Sequence, residues 1–194
     1  MSAKKIAFIG LGELGVHLAG SLVKAGYQLA VNDLDQTKAA ALVEKGARFA
    51  PTLKDAAEGA DVVITCLPSP AATENVLTSD DGLLINLGRG ATWVEMSTND
   101  PEAIQALAAQ AAERGIETLE APVTGGVHKA ASGEITVLVG GDEALFETHL
   151  PLFQAMGGEV IHIGELGQAS VIKVITNMLA FIHLLAAGEA LTLA

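Results

Sequence analysis

The chain has 194 residues, about the length of one domain at the usual ~100–200 residues. Half of its residues are hydrophobic and 18% are charged, which excludes intrinsic disorder because disorder requires low hydrophobicity. Eleven Lys and Arg residues against 23 Asp and Glu residues give a net charge of -12. Such an acidic chain lacks the basic surface that phosphate backbones require, so no nucleic-acid binding is expected. The single cysteine, Cys66, forms no internal disulfide, so folding needs no oxidising compartment.

Short strand-like runs alternate with longer, alanine-rich helical runs along the chain. This alternation predicts an α/β fold, a Rossmann-type doubly wound and mostly parallel sheet. The apolar run at 61–66 is typical of a strand covered on both faces, and Asn99 or Asp100 is expected to cap a helix that has Pro101 in its first turn. The predicted strands are 5–9, 27–32, 61–66, 92–96, 116–120, 135–139 and 160–163, and the predicted helices are 14–25, 36–45, one opening at 99–102, 143–154, and a last one from 168 to the end.

Neither the first residues nor the apolar C-terminal run predicts a targeting or membrane segment. The apolar run from Ile6 to Ile9 is too short for the core of a signal peptide, and glycines follow it at once. The longest apolar segment, from Met178 to Ala187, is shorter than the ~20 residues that cross a bilayer, so it predicts a buried helix. We therefore expect a cytoplasmic protein that binds no membrane.

The last predicted helix is apolar on nearly every face, because Glu189 is the only ionised side chain after Lys173. A helix of this kind is buried on all sides in a stable protein, and one sheet cannot cover it completely. We expect either a further domain or another subunit to cover it. An isologous homodimer through this helix is the default closed arrangement.

A G-x-G-x-x-G motif lies between the first predicted strand and the first predicted helix. Its glycines permit a tight turn, the approach of a pyrophosphate to the backbone and close helix packing, and the helix N-terminus attracts the anion. The same six residues would also fit an ordinary strand-to-helix turn. Asp33 lies 18 residues after the last glycine, close to the ~20 expected of a carboxylate that binds the ribose hydroxyls, so the pattern predicts dinucleotide binding. The loop residues assigned to the cofactor are Gly10, Leu11, Gly12, Glu13, Leu14 and Gly15.

Asp33 also bears on the choice between NAD and NADP. A carboxylate at this position repels a 2′-phosphate, and no Arg or Lys occurs between Asp33 and Thr37. NAD is therefore favoured. NADP remains possible because Lys38 follows closely enough to reach a phosphate.

Further motifs make the chain resemble the β-hydroxyacid dehydrogenase family, the group of 3-hydroxyisobutyrate dehydrogenases and tartronate semialdehyde reductases. Residues 120–126, E-A-P-V-T-G-G, are similar to its D-A-P-V-S-G-G substrate signature. Gly164 to Gly167 followed by Lys173 and Asn177 resembles its catalytic G-x-x-G…K-x-x-x-N. The similarity runs in the family's order from Lys5 to the last residue; it also includes G-E-I-T at 133–136 with Gly140-Gly141, C-L-P at 66–68 and M-S-T at 96–98.

The resemblance implies an oxidoreductase that transfers a hydride between NAD(P) and a small 3-hydroxy acid or its semialdehyde. Lys173 would be the general acid or base and Asn177 would hold the substrate hydroxyl or orient the ammonium, as their four-residue spacing on one helix face allows. Substrate carboxylate binding is expected at Thr124, Gly125 and Gly126. Cofactor contacts are expected from Asn32, Asp33, Leu67, Pro68, Ser97 and Thr98.

Several alternatives stay open beside this reading. Lys173 would otherwise be a surface lysine, and the two glycines after Thr124 would otherwise serve only a tight turn. Lys129 is as compatible with an anionic substrate as with plain solvation. A non-catalytic dinucleotide-binding module would have the same cofactor motifs, whereas a decarboxylating enzyme of the 6-phosphogluconate type needs more basic residues than this chain has.

The family pattern also shows departures and predicts a division of the chain. Glu120 replaces the usual Asp, Thr124 the usual Ser and Leu14 the usual Met. The family has a second, all-helical domain, and this chain stops within the helix that would lead into it. We therefore expect residues 1–164 to form the dinucleotide-binding domain and residues 165–194 to begin the interdomain helix.

Other kinds of chemistry find no support in the sequence. The histidines are scattered without ligand spacing, so no metal site is proposed. Cys66 follows a buried strand and is expected to be a core or cofactor-wall thiol. Ser97 has no partner at the spacing of a hydrolase motif.

Overall fold

One sheet of nine strands forms the centre of the computed structural model, which describes residues 4–193. Its strands are β1 (Lys5–Ile9), β2 (Gln28–Asn32), β3 (Arg48–Phe49), β4 (Val62–Thr65), β5 (Thr92–Glu95), β6 (Glu117–Glu120), β7 (Val123–Thr124), β8 (Thr136–Gly140) and β9 (Glu159–Gly164). Their order across the sheet is β3-β2-β1-β4-β5-β6-β8-β7, and β9 pairs with β8. The first six strands in this order, β3, β2, β1, β4, β5 and β6, are parallel to one another. Strand β8 is antiparallel to β6 and β7, and β9 is parallel to β8. The predicted Rossmann-type, mostly parallel sheet is confirmed.

Helices connect these strands and cover both faces of the sheet. They are α1 (Gly15–Lys24), α2 (Ala40–Val43), α3 (Leu53–Ala57), α4 (Pro70–Thr78), α5 (Leu83–Asn86), α6 (Pro101–Glu113), α7 (Val127–Ser132), α8 (Glu143–Met156) and α9 (Gln168–Leu193), with a 3₁₀ turn at Gln36–Ala39. Alternate residues of β1 enter two separate apolar clusters, Ile6 and Phe8 on one face and Ala7 and Ile9 on the other. This period of two places half of each strand on each side, so a core lies on both faces.

All seven predicted strands are present, with ends that differ by at most one residue. The predicted helix at 36–45 is instead a 3₁₀ turn followed by the short α2, because the Asp35 side chain accepts hydrogen bonds from Thr37 and closes a tight turn there. Asp100 caps α6 as predicted, accepting from the backbone N–H groups of Glu102 and Ala103. The short elements β3, β7, α3, α4, α5 and α7 were not expected, because segments of two to nine residues carry little periodicity.

Helix α9 departs from the prediction of a buried helix. Among the residues described, only Ala169 and Ser170 of α9 are buried. The helix has 26 residues and is long and apolar enough to cross a membrane by length and composition alone. The apolar segment from Met178 to Ala187 is shorter than α9, because the helix also includes polar residues on both sides of that segment. The exposed large side chains are Val171, Val174, Ile175, Met178, Leu179, Phe181, Ile182, Leu184, Leu185, Leu191 and Leu193.

Candidate cofactor and active site

A cleft of about 790 Å³ opens where β1, β2, β4 and β5 end. Ligands of open α/β sheets bind in the crevice at the carboxyl ends of the strands, and this cleft lies there. Its walls come from the end of β1 with the glycine loop, the end of β2 with the segment after it, the loops after β3, β4 and β5, helix α4, one residue of β7 and one residue of α9. The lining side chains and glycines include Gly10, Gly12, Asp33, Leu34, Lys38, Pro51, Leu53, Cys66, Leu67, Asn75, Ser97, Val123 and Lys173.

The three motif glycines differ in what surrounds them. Gly10 has a φ of +96°, and a Cβ there would lie 2.3 Å from the carbonyl oxygen of Cys66. A Cβ on Gly15 would lie 2.1 Å from the carbonyl oxygen of Gly10. Gly12 lines the cleft, and a Cβ added there would meet no atom within 4 Å. The loop therefore needs two glycines for its own packing and leaves the third free for a close ligand, which fits the pyrophosphate of a dinucleotide.

Replacing Gly12 with alanine should leave the fold intact and weaken NADH binding by at least about tenfold, a loss of about 1.4 kcal/mol. The added methyl group meets no protein atom but occupies the space through which a phosphate approaches the backbone. Fluorescence titration of NADH, with thermal unfolding recorded in parallel, measures both effects. Gly88→Ala is the matched control, since Gly88 is equally open and lies outside the cleft. Unchanged NADH affinity in Gly12→Ala would contradict this use of the loop.

The Asp33 carboxylate connects the end of β2 to the glycine loop. Its Oδ2 accepts from the backbone N–H of Leu11 at 2.7 Å, and its Oδ1 accepts from the backbone N–H of Asp35 at 2.9 Å. Partial burial by itself would raise the pKa of Asp33, but these hydrogen bonds and the Lys38 ammonium outweigh it and hold the pKa below its usual value. Asp33 is therefore ionised at neutral pH and able to accept hydrogen bonds from ribose hydroxyls.

Lys38, which the sequence left available for a phosphate, is paired in the structure. Its Nζ lies 3.3 Å from Oδ1 of Asp33. The neighbouring Asn32 also lines the cleft, and its side-chain amide donates to the carbonyl oxygen of Ala50 at 2.8 Å. Lys38 thus already neutralises a carboxylate, and Asn32 ties the end of β2 to the chain that follows β3.

A buried hydrogen-bond network supports the two loops after β4 and β5. Oε1 of Glu95 accepts from the backbone N–H of Ser97 at 2.6 Å, and its Oε2 accepts from the Thr65 hydroxyl at 2.8 Å. The Thr65 oxygen in turn accepts from the indole N–H of Trp93, while the Ser97 hydroxyl oxygen accepts from the backbone N–H of Leu67. Burial raises the pKa of Glu95, and four hydrogen-bonding interactions partly counter that effect. The network fixes Leu67 and Ser97, two residues of the cleft wall.

Cys66 lies in the wall of the cleft and is partly buried. Burial, followed by the neighbouring charge of Glu95, raises the pKa of this thiol to about 12. The thiol therefore stays protonated at neutral pH and does not act as a nucleophile. Among residues 4–193, no group of three or more His, Cys, Asp or Glu side chains could hold a metal ion.

Lys173 projects from the second turn of α9 into the same cleft. It is half-buried, and burial lowers the pKa of its amine below the ordinary lysine value. Asn177 lies one turn further along α9 and outside the lining of the cleft. Thr124, Gly125 and Gly126 follow directly after Val123, which lines the cleft, but are not themselves part of its wall.

The residues predicted for the cofactor lie together in this structure, with one exception. Leu11 is buried beneath the loop and contributes its backbone N–H to Asp33 rather than a surface to the cleft. The others line one cleft: Gly10, Gly12, Glu13, Leu14, Gly15, Asn32, Asp33, Leu67, Pro68, Ser97 and Thr98.

Two buried glutamates were not identified as site residues from the sequence. Thr65, Glu95 and Glu120 stand opposite one another at the carboxyl ends of β4, β5 and β6, and each is at most 1% exposed. Glu120 accepts hydrogen bonds from the first turn of α9. A polar residue that closes an apolar strand is the signal that would have identified them, because parallel strands place such residues at the binding edge.

Known proteins match this chain over nearly its whole length. The family model for the NAD binding domain of 6-phosphogluconate dehydrogenase matches residues 5–164. An NAD-dependent L-serine dehydrogenase from Pseudomonas aeruginosa is 44% identical over 190 residues, which cover 98% of this chain and 64% of that protein. A 3-hydroxyisobutyrate dehydrogenase from the same species is 38% identical over 188 residues, which cover 97% of this chain and 63% of that protein.

The structural match is equally extensive. The solved structure described as Mycobacterium tuberculosis 3-hydroxyisobutyrate dehydrogenase with L-serine aligns with a TM-score of 0.92 at 32% identity, covering 99% of this chain and 65% of that one. The chain thus spans less than two thirds of the length of these relatives. The resemblance to β-hydroxyacid dehydrogenases and the prediction of NAD as cofactor, with NADP possible, are confirmed. With the glycine loop, the cleft and the family match in agreement, the chain belongs to the NAD-binding domain family of 6-phosphogluconate dehydrogenase.

Proposed function

We propose that this chain is the cofactor-binding part of an NAD-dependent dehydrogenase that acts on a small 3-hydroxy acid or reduces the corresponding semialdehyde. The observation that carries the proposal is the position of Lys173, a residue of the same cleft that the glycine loop and Asp33 also line. The names of the two relatives from Pseudomonas aeruginosa, L-serine and 3-hydroxyisobutyrate dehydrogenase, give the substrate class. Both compounds carry a hydroxyl on C3 and a carboxylate on C1.

Lys173 would accept or donate the proton that is transferred in the reaction. When bound, NAD supplies the hydride acceptor, and the hydroxyl proton of the substrate must leave at the same time. A neutral amine takes that proton during oxidation, and the ammonium returns it during reduction. Half-burial favours this exchange because it lowers the pKa of Lys173 toward the working pH.

The substrate carboxylate would bind at Thr124, Gly125 and Gly126. Gly125 and Gly126 are exposed, have positive φ values of +127° and +84°, and carry no side chain of their own beside their backbone N–H groups. Thr124 adds a half-exposed hydroxyl. Backbone amides and a hydroxyl in such a turn suit an anionic group, and Asn177 would hold the substrate hydroxyl or orient the ammonium.

Two measurements on one sample of the full-length protein test this function. NADH binding is followed by fluorescence, and NAD reduction is followed by absorbance with a panel of C3 to C5 hydroxy acids that includes L-serine and 3-hydroxyisobutyrate. We expect NADH to bind and at least one 3-hydroxy acid to be oxidised, with 2-hydroxy acids as the matched negative set. NADH binding without turnover of any member would instead indicate a non-catalytic dinucleotide-binding module.

We infer that α9 begins an interdomain helix, with residues 1–164 as the dinucleotide-binding domain and residues 165–194 as the start of the connection. The matches to relatives extend over 188 to 190 residues and therefore include most of α9. An exposed apolar surface larger than a few hundred Å² is unusual for a soluble monomer. Either a further domain or a second copy of the chain would cover it. With one cysteine and no internal disulfide, we place the protein in the cytoplasm.

The 194-residue chain on its own should form a homodimer or a larger assembly through α9. Its exposed apolar side chains leave water when two copies pack, and an isologous dimer is the default closed arrangement. Light scattering measures the mass, and Leu184→Glu should shift it toward the monomer. Val43→Glu, at an exposed apolar position outside α9, is the control. A monodisperse monomer with an ordered α9 at high concentration would refute this interface.

A further inference from the structure

The first turn of α9 is held by a side chain from a different strand. Helices leave the N–H groups of their first turn without intrahelical partners, and a side chain at the residue before the helix normally accepts from them. Gly167 occupies that position in α9 and has no side chain to offer. The carboxylate of Glu120, at the end of β6, serves instead as the acceptor for these N–H groups.

Glu120 accepts four hydrogen bonds from this turn. Its Oε1 accepts from the backbone N–H groups of Gly167 at 2.6 Å and Ala169 at 2.9 Å. Its Oε2 accepts from the backbone N–H of Ser170 at 3.1 Å and from the Ser170 hydroxyl. Hydrogen bonds to a charged acceptor are about twice as strong as neutral ones, and a carboxylate at a helix N-terminus is further stabilised by the helix dipole. The four bonds fix the turn in position and orientation.

The surroundings of Glu120 leave its carboxylate little freedom. Glu120 is 1% exposed, and a Cβ on Gly140 of β8 would lie 2.4 Å from its Oε1. Gly140 therefore provides the space that the carboxylate occupies. On the outer side of the turn, the Gln105 side-chain amide donates to the carbonyl oxygen of Leu166 at 2.9 Å.

Lys173 depends on this turn for its position. It lies three residues after Ser170, on the same side of α9. Ala169 and Ser170 are the only buried residues of the helix in the part of the chain that the structure describes. The first turn thus contains the fully buried contacts of α9, and the residues around Lys173 are only partly buried or exposed.

We propose that Glu120 is a positioning residue for Lys173: its buried carboxylate anchors the first turn of α9 so that the lysine amine is held in the cleft. This inference rests on the function proposed above for Lys173. Glu120 touches neither cofactor nor substrate in this proposal and acts only through the helix. A displacement of the amine by about 1 Å is enough to lower turnover by about 10²-fold.

Two substitutions at Glu120 separate its hydrogen bonds from its size. Glu120→Gln keeps the length but turns one oxygen into an amide donor, which then faces two donors of the helix. Glu120→Asp keeps four acceptor sites and the charge but is one methylene shorter. Glu117→Gln is the matched control, because Glu117 is an exposed glutamate at the other end of the same strand. Ser170→Ala removes one of the four donors and leaves the carboxylate in place.

The first readout is the titration of Lys173 itself, which requires no enzymatic activity. Lysines of the 194-residue chain are dimethylated with ¹³C-formaldehyde, the Lys173 signal is assigned with Lys173→Arg, and its shift is followed against pH by NMR. In Glu120→Gln the pKa of Lys173 should rise toward the ordinary lysine value, because a released amine gains solvent. Ser170→Ala should change it in the same direction by less, Glu120→Asp should restore most of the native value, and Glu117→Gln should have no effect.

The second readout is turnover of the full-length protein with NADH affinity measured beside it. Glu120→Gln should lower kcat by about 10²-fold with unchanged NADH affinity, and Glu120→Asp should recover most of it. A native Lys173 titration in Glu120→Gln, or in Ser170→Ala where Glu120→Gln does not fold, would overturn the inference. If no hydroxy acid is turned over at all, the proposed function fails while the titration still decides the role of Glu120. If Lys173→Ala abolishes turnover and Glu120→Gln does not affect it, only this inference fails.

Discussion

Replacing Lys173 with alanine should lower turnover by about 10²–10⁴-fold, the usual contribution of a general acid or base. NADH affinity should stay unchanged, because the loop, Asp33 and the β4 and β5 loops that line the cleft are on other elements. Steady-state kinetics on the full-length protein, combined with NADH titration, separates the two effects. Lys45→Ala is the control, since Lys45 is exposed and lies outside the cleft.

The pH dependence of the same reaction has a defined sign. Oxidation of the hydroxyl requires the neutral amine of Lys173, so its rate should rise with pH as the ammonium loses its proton. Reduction requires the ammonium, so its rate should fall over the same range. Burial lowers the pKa of Lys173, which places both transitions below the pH at which an ordinary lysine titrates. Near-native turnover in Lys173→Ala would contradict the assigned proton transfer.

The parts of the site that sequence reasoning identified are local in the chain. The glycine loop joins a strand to the helix that follows it, and the loops after β4 and β5 each continue directly from an apolar strand. Their spacing along the sequence is therefore enough to predict where these loops lie relative to the strands. Asp33 could also be identified from the sequence, because it directly follows β2, the strand that lies next to β1 in the sheet.

The parts that sequence reasoning missed depend on partners far away in the chain. Glu120 accepts from residues 47 to 50 positions later, and Glu95 accepts from Thr65, 30 positions earlier. Such pairs appear only once the sheet has brought strand ends together. The exposure of α9 could not be predicted from the sequence either. An apolar helix is expected to pack against other protein, but its sequence does not show whether the same chain provides the packing surface.

NADH should bind at least about tenfold more tightly than NADPH, because the ionised carboxylate of Asp33, which lines the cleft, would repel a 2′-phosphate. Two unit charges about 4 Å apart repel by roughly 4 kcal/mol at an effective dielectric constant near 20, and about 1.4 kcal/mol already corresponds to tenfold. Lys38 offsets part of this repulsion, because its Nζ lies 3.3 Å from Oδ1 of Asp33. The tenfold ratio requires only about a third of the full Coulomb value. Titration of both cofactors by fluorescence gives the ratio directly.

Asp33→Asn should reduce the preference for NADH over NADPH by changing both affinities. The variant loses the charge that repels a phosphate and frees Lys38 to bind one, so NADPH affinity should rise. NADH affinity should fall, because an amide is a weaker acceptor for ribose hydroxyls than a carboxylate. Asp61→Asn serves as the control, since Asp61 accepts from the backbone N–H of Lys5 at the amino end of β1, away from the cleft. Equal affinities in the native chain, or tighter binding of NADPH, would show that the carboxylate of Asp33 does not select the cofactor.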